Sequence, residues 1–208
     1  EMASWTAGYA IVMYFMWWVM MIAMMLPSAS TAILLFMRAH NNSTESERSY
    51  LPTIVFASGY LTAWAGFSAL ATGAQWLLEY ANLLNKMMAT TSPVLGGGLL
   101  LVAGLWQFTS WKYACLRHCR SPLIFLMARW RSGRIGTFVM GMDHGAFCLG
   151  CCWFLMALLF FGGIMNLWWI GGLALYVLAE KLMPAGHWLG YGLGVILILW
   201  GLAIVLFI

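Results

Sequence analysis

Charged residues are scarce in this sequence. Only 8% of its 208 residues are Asp, Glu, Lys or Arg, whereas 63% are hydrophobic. Because a soluble domain carries about 25% charged residues, this chain lacks the polar side chains needed to cover a globular surface. The composition excludes an ordinary soluble domain and predicts an integral membrane protein. The small formal charge of +4 gives no indication of nucleic-acid binding.

Familiar enzyme motifs are also missing. The sequence has no Ser/His/Asp pattern, no phosphate-binding loop, no pair of catalytic carboxylates and no haem-attachment motif. The two halves show no inverted repeat of the kind found in alternating-access transporters. No basic region precedes the first apolar segment, so we expect no separate signal peptide. The absence of a catalytic constellation leaves enzyme activity open but disfavoured.

Six apolar segments follow one another along the chain. They cover roughly residues 9–37, 51–78, 94–111, 137–165, 167–182 and 188–208, and Pro27 interrupts the first. A helix needs about 20 apolar residues to cross a bilayer, so five segments are long enough and residues 167–182 are marginal. Strands of an open sheet would leave backbone groups unpaired in lipid. We therefore predict an all-α, polytopic membrane helical bundle of about six transmembrane helices, forming a single domain over residues 1–208.

Basic residues are concentrated in alternate connections between these segments. Nine of the ten Lys and Arg residues lie near residues 38–50, 112–134 and 180–187, and Lys86 is the exception. By the positive-inside rule these three connections are cytoplasmic. Both termini are then predicted to be non-cytoplasmic.

The segment MDHGAFCLGCCW, residues 142–153, holds three thiols and an imidazole in an otherwise apolar region. On a helix, His144, Cys148 and Cys151 fall within about 60° of one another, and Cys152 lies at the edge of that face. An imidazole with two thiolates suits a soft or borderline ion. The pattern predicts a metal site, with copper preferred and zinc as the alternative.

Other interpretations of this segment stay open. Cysteine often packs as a small buried apolar residue, and glycine allows close packing of helices. The Cys148-x-x-Cys151 pair is also compatible with disulfide exchange, which would make the chain a membrane thiol oxidoreductase. If the helix began only after Gly145, Asp143 and His144 would lie in a loop outside the predicted face.

Candidate donors also occur in other segments. The first segment contains a methionine stripe, four residues that fall on one side of a helix: Met13, Met16, Met20 and Met24. Met24 is predicted at the depth of the thiols, and thioethers suit Cu(I), although such stripes more often serve packing. Glu180 is a candidate ligand, a supporting residue or half of an interfacial ion pair. Cys115 and Cys119 flank His118 in a basic loop, as either a loading site for delivered metal or ordinary reduced thiols.

Four stretches together resemble a bacterial family of predicted metal-binding integral membrane proteins of unknown function. They are WWVMMIAMMLPSA, CLRHCRSP, GMDHGAFCLGCCWFLMALLFFGGIMNLWW and LAEKLMPAG, and the resemblance covers nearly the whole chain. It implies a multi-pass protein of the bacterial inner membrane, with no particular reaction. The positions that match the family are His144, Cys148, Cys151, Cys152, Asn166, Glu180, Lys181, Met24, Met25 and Pro27.

The sequence thus predicts a membrane protein that binds copper and stores, inserts or moves it. The predicted metal-site residues are His144, Cys148, Cys151, Cys152, Glu180 and Met24. Expected partners are the lipid bilayer and a cytosolic or periplasmic metallochaperone. The alternative is an accessory or structural subunit of a larger membrane oxidase, monooxygenase or electron-transfer complex, which the short loops and 13 tryptophans favour.

Overall fold

The computed structural model describes residues 5–43, 50–183 and 186–207. Within these ranges the regular structure is α-helical, which confirms the predicted all-α bundle, and one isolated bridge joins Leu84 to Thr90. The helices are α1 (Ala7–Ser43), α2 (Leu51–Tyr80), α3 (Pro93–Trp106), α4 (Ser110–Arg120), α5 (Pro122–Ala128), α6 (Gly133–Ala157), α7 (Leu159–Gly162), α8 (Leu167–Leu182) and α9 (Gly186–Phe207). Arg48, used above to orient the chain, lies outside the described residues.

Four stretches of helix are long and apolar enough to cross a membrane. They are Ala7–His40, Leu51–Tyr80, Gly133–Gly162 and Gly186–Phe207, and the bent pair α3 and α4 would make a fifth span if counted as one. This number is smaller than the six predicted. The interruption predicted at Pro27 is also wrong, because α1 continues through that residue.

Two of the six predicted segments, the third and the fifth, form helices too short to cross a bilayer alone, and helix caps explain where these helices end or begin. The third does not continue past Trp106, because Thr109 caps a new helix by accepting a hydrogen bond from the Lys112 backbone N–H at 3.3 Å. The axes of α3 and α4 therefore differ by 66°. The fifth is limited by the Asn166 cap of α8, a helix of 16 residues. At 1.5 Å per residue α8 is about 24 Å long, shorter than the bilayer core of about 30 Å.

Glycines set the closest contact between α2 and α6. A Cβ atom on Gly59 would lie 2.1 Å from the Phe138 carbonyl oxygen, and one on Gly141 would lie 1.9 Å from the Phe56 carbonyl oxygen. No larger residue fits at these distances, so the two backbones touch. We call Gly59, Gly141 and Gly145 the glycine seam. It aligns the first half of α2 with the middle of α6.

The bundle has two chemically different ends. The end of α1, α4, α5, the start of α6 and the end of α8 lie together at the basic end, which carries Arg38, Arg117, Arg120, Arg129, Arg131 and Arg134. At the opposite end lie the start of α1, the end of α2 and the loop formed by residues 81–92. Hydrogen bonds across the antiparallel pair α1 and α2 fix this arrangement, from Trp17 to Gln75 and from Tyr60 to Met25.

Candidate functional site

The residues predicted to form a metal-binding face lie together on one buried face of α6. This helix begins at Gly133, so Gly145 lies in its interior and the alternative of a late helix start is wrong. Cys148, Cys151 and Cys152 are each exposed by 2% or less, and His144 is also buried. The thiols of Cys151 and Cys152 both donate to the Cys148 carbonyl oxygen at 3.0 Å. The face therefore points into the bundle.

A fourth thiol reaches this face from α4. Cys119 is buried in the same core as the thiols of α6, against which α4 packs. Cys152 lies in this core as well. We call Cys119, Cys148, Cys151 and Cys152 the thiol cluster. All five cysteines of the chain are free of disulfides.

The remaining residues of the predicted loading site pack beside the cluster. The Cys115 sulfur lies over Gly150, where an added Cβ atom would be 2.9 Å from it. The His118 ring stacks on Phe147 of α6, with ring centroids 4.2 Å apart and planes 4° from parallel. Cys115, His118 and Cys119 thus do not converge on one point, because only Cys119 faces the thiols of α6.

A lysine from α8 and a tyrosine from α2 contact the cluster. The Lys181 ammonium lies 3.0 Å from the Cys148 sulfur and donates to the Ser28 hydroxyl at 3.2 Å. The Tyr60 hydroxyl lies 3.2 Å from the same sulfur and 3.3 Å from the Met25 carbonyl oxygen. A positive charge beside a sulfur stabilises the thiolate form, the form that binds metal. Cys148 is therefore the cysteine whose thiolate form the Lys181 charge stabilises directly.

His144 lies one helical turn before Cys148, in an aromatic pocket. The rings of Phe56, Tyr60 and Phe125 surround it, with centroids 5.3–6.2 Å from the imidazole. Its Nδ1 atom is buried and has no hydrogen-bond partner. Because buried polar atoms are normally hydrogen-bonded, this unpaired nitrogen is a candidate metal ligand.

Glu180 does not join the thiols. Its carboxylate pairs with the Lys112 ammonium, and it accepts a hydrogen bond from the Tyr176 hydroxyl at 3.3 Å. Lys112 also donates to the Gln107 side chain. Glu180 thus forms an ion pair, but the pair is buried instead of interfacial, and its partner is Lys112. The adjacent Lys181 points to the cluster.

Met24, the last of the predicted site residues, is buried in the same core as the thiols, one turn before Ser28. Asp143, the neighbour of His144, points away from the thiols and pairs with Arg129 at 3.1 Å and Arg131 at 3.8 Å. Asp143 therefore lies outside the buried face.

The thiols are grouped, but they do not form a finished metal cage. Among the described residues, no three or more His, Cys, Asp or Glu side chains have the arrangement of a metal site. The donor chemistry nevertheless fits a soft cation, because buried thiols lie beside the Lys181 ammonium and one helical turn from an unpaired imidazole nitrogen.

Sequence reasoning missed three contributors to this site. Tyr60 and Ser28 carry no local signal, because their contact with Cys148 and Lys181 depends on helix packing. Lys181 did carry one, since a lysine within an apolar segment is costly unless it is paired or functional. A role at the site was predicted for the adjacent Glu180 instead.

Fold and site together define a class: an all-α bundle of long apolar helices with a buried group of soft donors in its core. Comparison with known families agrees with this class. The chain belongs to the PpoB2 copper chaperone family, whose model matches residues 14–204. No curated protein and no solved structure matches it. Membership confirms the predicted relation to a metal-handling family and supports copper as the metal handled.

Proposed function

We propose that this protein is a membrane-spanning copper carrier that holds Cu(I) at the thiol cluster. The observation that carries the proposal is the contact of the Lys181 ammonium with the Cys148 sulfur at 3.0 Å, in a core that also contains the buried thiols of Cys119, Cys151 and Cys152. Thiolates select Cu(I) among the ions available to a cell, because both the ligand and the ion are soft. Membership of a copper chaperone family supports the same ion.

The charge of the site favours a monovalent ion. Two thiolates and Cu(I) carry one net negative charge, which is costly to bury in a region of low dielectric. The Lys181 ammonium, 3.0 Å from Cys148, offsets this charge. With Zn(II), two thiolates and the ammonium leave an excess positive charge. The lysine therefore favours Cu(I) over Zn(II) at a two-thiolate site.

The other predicted ligands rank behind the thiols. His144 is the next donor, because its free Nδ1 lies one turn from Cys148. Met24 follows as a thioether in the same core. Glu180 is assigned to support, since its pairing with Lys112 anchors α8 to α4 and so positions the adjacent Lys181.

Membrane insertion completes the proposal. The long apolar helices fit a multi-pass protein of the bacterial inner membrane, with the basic end in the cytoplasm. A metalloprotein or metallochaperone then exchanges the ion with the site. Burial of Cys148 and Cys151 weighs against the thiol oxidoreductase alternative, because a partner disulfide must reach the attacking sulfur.

The test is metal content together with Cu(I) affinity. The full chain is purified in detergent from native membranes, and its copper and zinc are measured by plasma mass spectrometry. Cu(I) is then titrated against a chromophoric chelator. We expect the double variant Cys148→Ser/Cys151→Ser to lose the ion that the wild type holds at the thiol cluster. Cys115→Ser, outside the cluster, is the matched control and retains it. Cu(I) binding that is unchanged in the double variant overturns the proposal, and a wild type that binds only zinc overturns the choice of metal.

A further inference from the structure

A second group of sulfur and carboxylate side chains lies at the opposite end of the bundle and contains no thiol. Met13 of α1, Gln75 and Glu79 of α2 and Met88 of the 81–92 loop meet there. Along α2, Gln75 is about 22 Å from Tyr60, at 1.5 Å per residue. The group is therefore separate from the thiol cluster.

The amide nitrogen of Gln75 marks the centre of this group. It lies 3.5 Å from the Met13 sulfur, 3.4 Å from the Met88 sulfur and 2.8 Å from a Glu79 carboxylate oxygen. An amide N–H carries partial positive charge, so the surrounding atoms form a cradle suited to a cation. Two thioethers among three donors favour a soft one, such as Cu(I).

Glu79 supplies a buried negative charge to this cradle. It is 8% exposed, and its hydrogen-bond donors are the neutral Trp5 indole, at 2.7 Å, and the Gln75 amide. Across the described part of the chain, no Lys, Arg or His lies within ion-pair distance of it. A buried carboxylate without a counter-ion is costly, so a cation bound beside it stabilises the structure.

The loop holds Met88 in a strained conformation. Its φ is 54°, in the left-handed region that long side chains rarely adopt. The Asn85 side chain accepts hydrogen bonds from the Met87 and Ala89 backbone N–H groups, and Met88 N–H donates to the Asn85 carbonyl oxygen at 2.8 Å. This network maintains the strain and directs the Met88 thioether towards Gln75. Met88 is half-buried, so the group is accessible from the surface.

We propose that Met13, Met88 and Glu79 form a second, thiol-free Cu(I) site, in which the ion replaces the Gln75 amide N–H as the partner of these three side chains. The inference rests on the proposed copper function and extends it to both ends of the bundle. Cu(I) and one carboxylate are together neutral, so no lysine is needed there. The site would receive or release the ion on the side opposite to the basic end.

The test uses Ag(I), a redox-stable probe for Cu(I), with the full chain in detergent. Methionine methyl groups are labelled with ¹³C, and Ag(I) is titrated into the Cys148→Ser/Cys151→Ser variant. We expect this variant to bind about one equivalent and to shift the Met13 and Met88 methyl signals. Adding Met13→Leu/Met88→Leu should abolish this binding, whereas Met87→Leu, an exposed neighbour in the same loop, should leave it unchanged. Glu79→Gln keeps the side-chain shape and should weaken binding roughly tenfold to a hundredfold.

Two results overturn this inference. One is a Cys148→Ser/Cys151→Ser variant that takes up no Ag(I), while the wild type binds an ion that depends on these two cysteines; the proposed function then stands and the second site does not. The other is Ag(I) binding that is insensitive to both the methionine substitutions and Glu79→Gln. Failure of the proposed function gives a different pattern, in which the thiol variant binds as much Ag(I) as the wild type.

Discussion

The two proposed sites, one in the core and one at an end of the bundle, would reach the same charge by opposite means. At the thiol cluster, two ionised sulfurs and the Lys181 ammonium would carry one net negative charge around Cys148. At the opposite end, the Met13 and Met88 sulfurs are neutral, and Glu79 alone supplies the negative charge. One monovalent cation would therefore balance each proposed site. The comparison predicts that ion selection depends on total charge as well as on the softness of the donors.

The ends also differ in depth and in chemistry. The thiol cluster lies in the core, whereas Met88 is half-buried at a loop. Thiols near an oxidising compartment form disulfides, but thioethers cannot. A buried thiol site and a peripheral thioether site would therefore suit the two sides of a plasma membrane.

The largest change in stability is expected from a substitution in the glycine seam, which holds α2 against α6 and so supports the thiol cluster. Gly59→Ala places a methyl group against the Phe138 carbonyl oxygen, 2.1 Å away, and should lower the free energy of unfolding by about 3 kcal/mol. Thermal unfolding in detergent measures this change. Gly66→Ala is the control on the same helix, where no atom lies within 4 Å of the added Cβ, and it should be neutral or slightly stabilising. Equal stability of the two variants would contradict the close contact of α2 and α6.

Removing the Lys181 charge should affect one end only. Lys181→Met leaves a Cu(I)–dithiolate group with an unbalanced charge, so its Cu(I) affinity should fall about a hundredfold. Chelator competition measures this, and the Ag(I)-dependent Met13 and Met88 methyl signals report on the other end. Lys181→Arg keeps the charge and should recover part of the affinity. A loss of equal size at both ends would mean that the substitution acts through the fold.

A smaller effect is expected from His144→Phe. Phenylalanine fits among Phe56, Tyr60 and Phe125 and removes the unpaired Nδ1 atom, so the unfolding temperature should stay the same or rise. Cu(I) affinity should fall roughly tenfold if the imidazole is a ligand. Unchanged affinity in the same titration would assign His144 to packing.

The smallest effect is expected from Tyr60→Phe. The change removes one hydroxyl group, which contacts the Cys148 sulfur and the Met25 carbonyl oxygen. The loss of stability should be about 1 kcal/mol, seen as a small decrease in unfolding temperature. Cu(I) affinity should change less than in His144→Phe. A larger loss would give Tyr60 a direct part in holding the ion.

The sequence predicted the parts of the site that depend on one helix. Apolar length located the long helices, and helical spacing placed His144, Cys148 and Cys151 on a common buried face. The same spacing was less accurate for the methionine stripe of α1. Met13 and Met24 are buried, but Met16 and Met20 are only half-buried, and the inward face carries Trp17 and Met21 as well.

What the sequence did not predict depends on contacts between distant segments. Cys119 lies near the other thiols because α3 ends at Trp106 and α4, bent by 66° from α3, packs against α6. The group at the opposite end combines side chains from α1, α2 and the 81–92 loop. Its loop member, Met88, has a positive φ and lies outside any helix, so helical spacing could not predict its position. Local periodicity carries no information about such contacts.

The position of Cys119 has a consequence for how an ion could leave. It is the one thiol of the cluster that α6 does not carry, and α4 holds it as a short helix beyond the 66° bend. Displacing α4 would remove one sulfur and leave the other three in place. An acceptor protein could then supply the missing ligand before the remaining bonds break. Handover by stepwise ligand exchange would avoid releasing a free ion.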